Sequence, residues 1–481
     1  MSAGKDKNAG SAGSAFAPVL ESAARHAMAY LNGLPERAIQ APGTVESLRA
    51  QLRKPLTDRG MEAEQVLSEL VRDCADGLQG SPSSRFFAWV IGGALPAALA
   101  ADWLTSVWDQ NAHCFSTAPA AAIAEEVVGA WLKDLLRIPE TASFALVTGC
   151  QMAHVTCLSA ARHALLARRD WDVEEKGLSG APRIVILASD QLHGSIERAV
   201  RLIGLGRANL IALPTDAHGR LLPETLTQAL DAHEESPTIV TLCAGDLNIG
   251  AFDDFEALIP LAKARGAWVH IDGAFGLWAA ASARYRYLLA GARRADSWAT
   301  DGHKWLNVPY DCGYAFVADK MAHANAMSYR ASYISYASEA RDEADWNPEW
   351  SRRARGFSTY AAIRELGREG VSEMIERCCA CAKSIVSRLG GLNGAQMLWL
   401  PQLNQGLVRF LDQRAGATAE DHDRRTDEVI ARINAAGEAF FSGTTWRGRR
   451  AMRVSVCNWQ INDEDVERTV QSVAAILRSP A

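Results

Sequence analysis

The segment Ala-Asp-Ser-Trp-Ala-Thr-Asp-Gly-His-Lys-Trp-Leu-Asn, residues 295–307, says more about the fold than any other part of this chain of 481 residues. It places His303 and Lys304 between a short strand-like segment and a bend at Pro309. Further upstream, the run Trp-Val-His-Ile ends at the carboxylate of Asp272. Because side chains that follow the strands of a parallel sheet gather at one edge, we expect the lysine and the acid to be neighbours.

An amine and a carboxylate at two neighbouring strand ends suit the chemistry of pyridoxal phosphate. The amine of Lys304 would form an imine with the cofactor aldehyde. Asp272 would keep the pyridine nitrogen protonated, so that the ring accepts electrons from the substrate α-carbon. The alternative is a surface lysine and a helix-capping aspartate, but the two residues taken together favour the cofactor site.

Charge and cysteine content limit the partners and the compartment. Fifty basic and 56 acidic residues give a net charge of −6, whereas nucleic-acid binding normally requires a concentrated basic face. No apolar run reaches the length of a membrane span. The ten cysteines form neither a disulfide pattern nor a CxxC metal motif. We therefore expect a cytoplasmic protein without a bound metal and without nucleic-acid or membrane partners.

Short apolar runs alternate with helical patterns through the middle of the chain. This alternation predicts an α/β fold whose sheet is mostly parallel and covered by helices on both faces. Ligands of such sheets bind in the loops outside the strand ends. The predicted strands are 144–147, 184–187, 210–213, 239–242, 268–271 and 314–317, and the helices between or before them are 120–136, 155–167, 195–202, 223–232 and 255–265.

Composition also divides the chain into four predicted regions. The first is rich in Gly, Ser and Ala and is expected to be disordered, and the second is helical with breaks at Pro35 and Pro42. A large cofactor-binding domain and a smaller α+β domain follow. The boundaries are 1–15 for the tail, 16–80 for the helical segment, 81–340 for the large domain and 341–481 for the small domain.

Polar residues follow three other predicted strands. Cys150 and Gln151 open a helix, where free backbone N–H groups and the helix dipole offer a phosphate seat, although many strand-to-helix turns look alike. His193 stands where an imidazole would either stack on a planar ring or cap a helix. Asn248 would bind the cofactor's phenolic oxygen or the substrate, or would stabilise its own turn.

These segments, in this order, resemble the group II pyridoxal-phosphate-dependent amino-acid decarboxylases, which include the aromatic amino-acid, histidine and glutamate decarboxylases. The resemblance implies the fold type I architecture, with a mostly parallel sheet of the seven-stranded type and a smaller C-terminal α+β domain. It also implies a homodimer with active sites at the subunit interface. The similarity runs from about 81 to 318 and resumes at 351–370 and 452–465, and it is strongest at 193–199, 270–274 and 301–306.

The resemblance also implies roles for single residues. Lys304 would be the imine lysine, Asp272 the partner of the pyridinium nitrogen and His193 the residue stacked on the ring. The other implied positions are Cys150 and Gln151 in the phosphate turn, Asp301 and His303 beside the phosphate, and Phe86 and Phe87 in the substrate pocket.

Three departures from the family pattern concern the phosphate turn, the proton donor and one lysine. The turn reads Cys-Gln-Met from residue 150, where the family usually has small residues followed by Glu or Ser. Glu343 stands near the position of a loop tyrosine that protonates the carbanion in many members. Ser358 replaces a lysine of some aromatic-type members. The candidate proton donors are Glu343 and, if the loop register differs, Tyr329, Tyr333 and Tyr336.

The expected reaction is decarboxylation of an L-amino acid to its amine through the Lys304 imine and a quinonoid. An aromatic or bulky substrate is favoured, because Phe86, Phe87 and Trp89 would line the pocket. Loss of the loop tyrosine favours a rival reaction, decarboxylation with oxidative deamination to an aldehyde, since a longer-lived quinonoid can meet oxygen. Carbon–carbon cleavage, as in the phosphorylated-sphingoid lyases, is a second rival reaction, and a cofactor-binding protein without turnover is a rival of a different class.

Overall fold

The structure is a computed structural model that describes residues 13–329 and 340–479. Its first part is helical, as the sequence pattern indicates, with Pro35 and Pro42 in the connection between the first two helices. The first helix begins at Gly13, inside the tail predicted to be disordered, because the alanine-rich residues from Ala15 onward continue the helical pattern. These helices are α1 (Gly13–Gly33), α2 (Val45–Leu52) and α3 (Ala63–Cys74).

A seven-stranded sheet forms the centre of the molecule, with strand order β1-β7-β6-β5-β4-β2-β3. Within this sheet β7 alone runs opposite to the other six strands, so the prediction of a mostly parallel sheet is confirmed. The strands are β1 (Ser143–Val147), β2 (Val185–Ser189), β3 (Leu210–Leu213), β4 (Thr238–Cys243), β5 (Trp268–Asp272), β6 (Ser297–Asp301) and β7 (Gly313–Val317).

Helices cover both faces of this sheet, which explains why its strands read as continuous apolar runs. Successive residues point to opposite faces, so Phe316 of β7 packs in one core cluster and Val317 in the other. Proline opens three of the helices, where its missing N–H is not needed. The helices are α4 (Pro96–Trp108), α5 (Pro119–Leu135), α6 (Cys150–Ala167), α7 (Val173–Lys176), α8 (Gly194–Leu202), α9 (Pro223–Ala232), α10 (Phe255–Ala264) and α11 (Lys320–Met327).

The C-terminal part contains a four-stranded antiparallel sheet in the order β10-β11-β9-β8. The sequence pattern did not indicate β8 or β10, because β8 is partly exposed and β10 reads Ser-Gly-Thr-Thr-Trp without an apolar run. The long helix α12 bends at Gly367, where φ is 60°. No helix in the described ranges is long and apolar enough to cross a membrane. The elements are α12 (Gly356–Gly390), β8 (Ala395–Trp399), β9 (Gln405–Phe410), α13 (Ala419–Ala436), β10 (Ser442–Trp446), β11 (Arg449–Ser455) and α14 (Asp463–Arg478).

Candidate active site

The predicted lysine and carboxylate follow two adjacent parallel strands. Asp272 is the last residue of β5 and pairs in register with Ala299 of β6, whose last residue is Asp301. Lys304 lies three residues further along, and its Nζ is 3.0 Å from Oδ2 of Asp301. The sheet thus places an amine and two carboxylates at one edge.

Lys304 forms an ion pair with Asp301 beside an apolar wall. The side chains of Trp305 and Leu306 are fully buried beside it, as an apolar wall requires. Burial lowers the pKa of Lys304, but the carboxylate of Asp301 acts in the opposite direction and, with other nearby groups, raises the pKa overall. The effect of Asp301 and its neighbours thus outweighs the desolvation of the amine.

Asp301 connects the lysine to the phosphate turn. Its Oδ1 accepts a hydrogen bond from the backbone N–H of Cys150 at 2.5 Å and lies 3.5 Å from Nε2 of His303. Nδ1 of His303 accepts from the N–H of Cys312 at 3.1 Å, so the ring proton is on Nε2 and faces Asp301. One of the backbone donors predicted for the cofactor phosphate, that of Cys150, is thus already bound to a carboxylate.

The turn before α6 still fits a phosphate group. Gly149 touches Gly313 so closely that a Cβ on Gly313 would lie 2.5 Å from the Cα of Gly149, so the small residues bring the turn against β7. Nε2 of Gln151 is buried and has no hydrogen-bond partner among the described residues. A buried amide donor at the positive end of an 18-residue helix is suited to an anionic oxygen.

Asp272 fits the ring nitrogen of the cofactor. The residue is only 8% exposed, and its Oδ1 accepts a hydrogen bond from the N–H of Ala274 at 3.1 Å. Its other close polar neighbours are Nε2 of His154 at 3.6 Å and Sγ of Cys150 at 3.9 Å. Within the described ranges no lysine or arginine nitrogen lies within ion-pair distance of Asp272, so a pyridinium N–H would supply the missing positive partner.

His193 lies at the mouth of this site as the N-cap of α8. Its Nδ1 accepts hydrogen bonds from Oγ of Ser195 at 2.7 Å and from the backbone N–H of the same residue at 3.3 Å. Partial burial lowers the pKa of His193, and the charge of Asp272 opposes that shift. The imidazole is therefore held by its own helix cap, and capping the helix and covering a planar ring are compatible roles for it.

The comparisons with known proteins agree with this geometry. Residues 46–411 match the family model described as the pyridoxal-dependent decarboxylase conserved domain. The chain belongs to this family. It is an amino-acid decarboxylase and a lyase, and its cofactor is pyridoxal phosphate.

The relatives include enzymes for acidic and for aromatic substrates. The acidic amino acid decarboxylase GADL1 of Mus musculus is 28% identical over 367 residues, which are 74% of this chain and 65% of the relative. The aromatic-L-amino-acid decarboxylase of Bacillus atrophaeus is 25% identical over 455 residues, 93% of this chain and 92% of the relative. A crystal structure of Oryza sativa TDC with PLP and tryptamine superposes with a TM-score of 0.90 at 24% identity, covering 99% and 100% of the two chains. That likeness shows the fold.

Two predicted pocket residues of the decarboxylase are packed inside the protein. Phe86 stacks on Phe440 and Phe87 on Phe441, each with ring centroids 5.1 Å apart, and both side chains of the predicted pair are almost fully buried. Trp89, in the same segment, is 53% exposed. Of these three aromatic side chains, Trp89 is therefore the one that is exposed to solvent in the single chain.

Asn248 and Ser358 make hydrogen bonds within the protein. Oδ1 of Asn248 accepts from Oγ1 of Thr444 at 2.7 Å, which joins the turn after β4 to β10. This contact agrees with the turn-stabilising role and leaves the amide nitrogen of Asn248 for other partners. Ser358, at the position of a lysine in some family members, donates to Oδ1 of Asp102 at 3.4 Å.

Two of the candidate proton donors have contacts of their own in the structure, and the other two lie outside the described residues. Glu343 is fully buried, forms an ion pair with Arg341 at 2.8 Å and accepts from Asn347 at 3.2 Å. Tyr329 is exposed and packs on Trp350. Tyr333 and Tyr336 lie outside the described residues. The identity of the proton donor stays a prediction.

Sequence reasoning missed Asn307, which fixes the loop of the lysine. Its Oδ1 accepts from the backbone N–H groups of Gly93 at 2.7 Å and Trp459 at 3.0 Å. Its Nδ2 donates to the carbonyl oxygens of Trp305 and Cys457 at 2.8 and 2.9 Å. Asn307 also has a positive φ of 55°, which asparagine tolerates better than most residues. The presence of an asparagine three residues after Lys304 is the feature of the sequence that could have identified this role.

Arg453 of β11 was also missed. It is 4% exposed, and its Nε has no hydrogen-bond partner among the described residues. Burial lowers the pKa of Arg453 to about 10, although Asp246 favours its charged form. The charge of Arg453 also acts to lower the pKa of His193.

Three fully buried histidines make the fold sensitive to acid. Burial lowers the pKa of His154, His270 and His323 to about 3, well below the ordinary value of 6.5. Between these two pKa values the unfolded chain binds more protons than the folded chain. The histidines therefore make their full contribution to the free energy of unfolding above pH 6.5, and this contribution is lost as the pH falls. We expect each histidine to contribute up to about 1.4 kcal/mol per pH unit to the slope of the unfolding free energy.

Urea unfolding at several pH values between 7 and 4, at one protein concentration, measures this slope. The His323→Leu variant should be less stable at pH 7 but should lose about 1.4 kcal/mol per pH unit of the acid dependence. An unchanged slope in that variant would mean that His323 is protonated in the folded chain.

Proposed function

We propose that the chain removes the α-carboxylate of an L-amino acid and releases the amine and carbon dioxide. The observation that carries this proposal is the placement of Lys304 and Asp272 after adjacent strands, with a buried helix N-terminus beside them. When bound there, pyridoxal phosphate supplies an electron sink for the electrons that the departing carbon dioxide leaves behind. The other tasks fall to the residues of the chain.

Each task in this proposal corresponds to a side chain of the site. Lys304 would hold the cofactor aldehyde through its amine, and Asp272 would accept a hydrogen bond from the ring nitrogen. His193 would cover one face of the ring. The side chain of Gln151 and the α6 N-terminus would bind the phosphate, with Asp301 and His303 fixing the turn next to it.

Arg453 would receive the substrate carboxylate. It is a buried and incompletely bonded cation near His193, and a guanidinium binds a carboxylate through two parallel hydrogen bonds. For Arg453→Met we expect KM to rise by about 10- to 100-fold, because the substrate carboxylate loses hydrogen bonds to a charged group. Initial rates over a range of substrate concentrations measure this change.

A matched control separates this role from the general effect of losing a buried arginine. Arg409 on β9 is similarly buried, but it is paired with Asp423 at 2.6 Å. Arg409→Met should lower stability and leave KM within about twofold of the parent. Equal effects of the two substitutions on KM would contradict the role of Arg453.

We further propose an aromatic or bulky substrate and a homodimer with active sites at the interface. The exposed indole of Trp89 supports the first, since it offers a stacking surface. Exposed Trp103, Val107 and Trp108 on α4 support the second, because large apolar side chains gather there. Sedimentation measurements test the dimer.

The ten free cysteines agree with a reducing cytoplasm.

Product analysis tests the proposal as a whole. The purified chain, loaded with pyridoxal phosphate, is given pooled L-amino acids in air and the products are identified by mass spectrometry. An amine lacking the substrate's carboxylate supports decarboxylation and names the substrate. An aldehyde supports the oxidative reaction, which the placement of Glu343 in a separate ion pair favours. The absence of any product would count against turnover.

A further inference from the structure

A series of buried polar side chains leads from Asp272 into the core of the large domain. Nε2 of His154, on α6, lies 3.6 Å from Oδ2 of Asp272, and Nδ1 of the same ring is 2.9 Å from Nε2 of His270. Nδ1 of His270 is 2.9 Å from Oγ of Ser297. That oxygen also accepts a hydrogen bond from Nε1 of Trp268 at 2.9 Å. We call His154, His270, Ser297 and Trp268, with Cys150 described below, the relay.

The two ends of the relay determine the direction of its hydrogen bonds. The indole of Trp268 can only donate, and an ionised Asp272 can only accept. If every group in between donates toward Asp272, Ser297 donates to Nδ1 of His270, and Nε2–H of His270 donates to Nδ1 of His154. Nε2–H of His154 then faces the carboxylate. The opposite direction would point a lone pair of His154 at a negative charge.

The thiol of Cys150 fits the same direction. Its Sγ lies 3.3 Å from Nε2 of His154 and 3.9 Å from Oδ1 of Asp272. Burial, together with the charges of Asp301 and Asp272, raises the pKa of this thiol, so it keeps its proton and can donate it to Asp272. Ligand atoms of Cys150, His154 and Asp272 lie within 4.8 Å of one another, but with a proton on Nε2 the His154 ring has no lone pair on that nitrogen, and its Nδ1 already accepts from His270.

A chain of neutral donors has a different effect on Asp272 from a positive charge. Both imidazoles are fully buried, and burial lowers the pKa of each to about 3, so neither becomes an imidazolium near neutral pH. A buried cation would form an ion pair with Asp272 and compete with the ring nitrogen for it. Aligned neutral donors instead polarise one another and stabilise the carboxylate without taking its place as partner.

We propose that His154 is a positioning residue that, through the relay, keeps Asp272 ionised and oriented toward the ring nitrogen of pyridoxal phosphate. The inference rests on the proposed role of Asp272. It assigns a function to a histidine that does not contact the reacting atoms and that the sequence motifs did not single out.

Binding of two cofactors to the full-length chain stripped of its own cofactor tests the proposal. One is pyridoxal phosphate, and the other is its 1-deaza analogue, which has a carbon in place of the ring nitrogen. We expect His154→Leu to weaken binding of pyridoxal phosphate by about tenfold and binding of the analogue by less than about twofold. His154→Gln, which keeps an N–H donor, should recover most of the affinity.

Two further variants keep the test informative if His154→Leu folds poorly. Ser297→Ala removes the middle of the relay with little change in volume and should weaken only pyridoxal phosphate, by about threefold. His323→Leu removes another fully buried histidine, which bonds to Ser143 and to the backbone of Trp346, and should affect neither cofactor.

Equal weakening of both cofactors by His154→Leu, without recovery in His154→Gln, would overturn the proposal and leave His154 a structural residue. Asp272→Asn distinguishes a failure of the proposed site from a failure of the relay. If that substitution also weakens both cofactors equally, Asp272 is not the partner of the ring nitrogen, and the site itself has been assigned wrongly.

Discussion

Replacing Lys304 with alanine is expected to abolish turnover, with a loss in kcat/KM of about 10⁴-fold or more. In the described chain, Lys304 is the lysine whose Nζ lies at this edge of the sheet, 3.0 Å from Asp301. Without it the cofactor has no covalent attachment, and no amine returns to release the product. The phosphate turn and Asp272 remain, so we expect pyridoxal phosphate to stay partly bound.

Single-turnover and steady-state rates, together with cofactor absorbance after gel filtration, measure the two parts of this expectation. Lys263→Ala is the matched control, because Lys263 pairs with Asp296 at the surface of the same domain. The control should retain parental activity. Parental activity in Lys304→Ala would refute the assignment of the lysine, and loss of activity in both variants would indicate damage to the fold.

Replacing Asp272 with asparagine is expected to reduce the rate by about 10³-fold and to weaken cofactor binding. A neutral amide cannot hold the ring nitrogen protonated, so the ring becomes a poorer electron acceptor. The substitution also leaves the N–H of Ala274 and the relay facing an amide in place of a carboxylate. The aspartate and asparagine side chains are nearly isosteric, so the substitution removes the negative charge and changes the packing little.

The pH dependence of kcat and the affinity for pyridoxal phosphate are the measurements for Asp272→Asn. Asp253→Asn serves as its control, since Asp253 is a buried carboxylate that accepts backbone hydrogen bonds from Leu221 and Cys243. That control should cost stability and leave the pH profile of kcat in place. An unchanged pH profile in Asp272→Asn would mean that another acid is the partner of the ring.

Local patterns made much of the fold and part of the site predictable from the sequence. Apolar runs of four to six residues identified six of the seven strands, because a strand covered on both faces is usually a nearly continuous apolar run. Lys304, Asp272 and Cys150 stand at the ends of strands, and the carboxyl ends of parallel strands share one edge of the sheet. The proximity of these three residues could therefore be predicted without knowing any contact between distant segments. The strand Ser297–Asp301 contains Ser, Thr and Asp in place of an apolar run, so the sequence indicated only a strand-like segment there.

Contacts between distant segments determined the remaining features. The burial of Phe86 against Phe440 and the engagement of Asp301 with Cys150 join residues far apart in the chain. The relay likewise needs α6 and two strands to place His154, His270 and Ser297 in contact. The sequence by itself determined which residues follow strands, because the periodicity of apolar side chains is local. Only the tertiary structure determined the partner of each polar group and its protonation, because hydrogen bonding and burial depend on neighbours that no local pattern records.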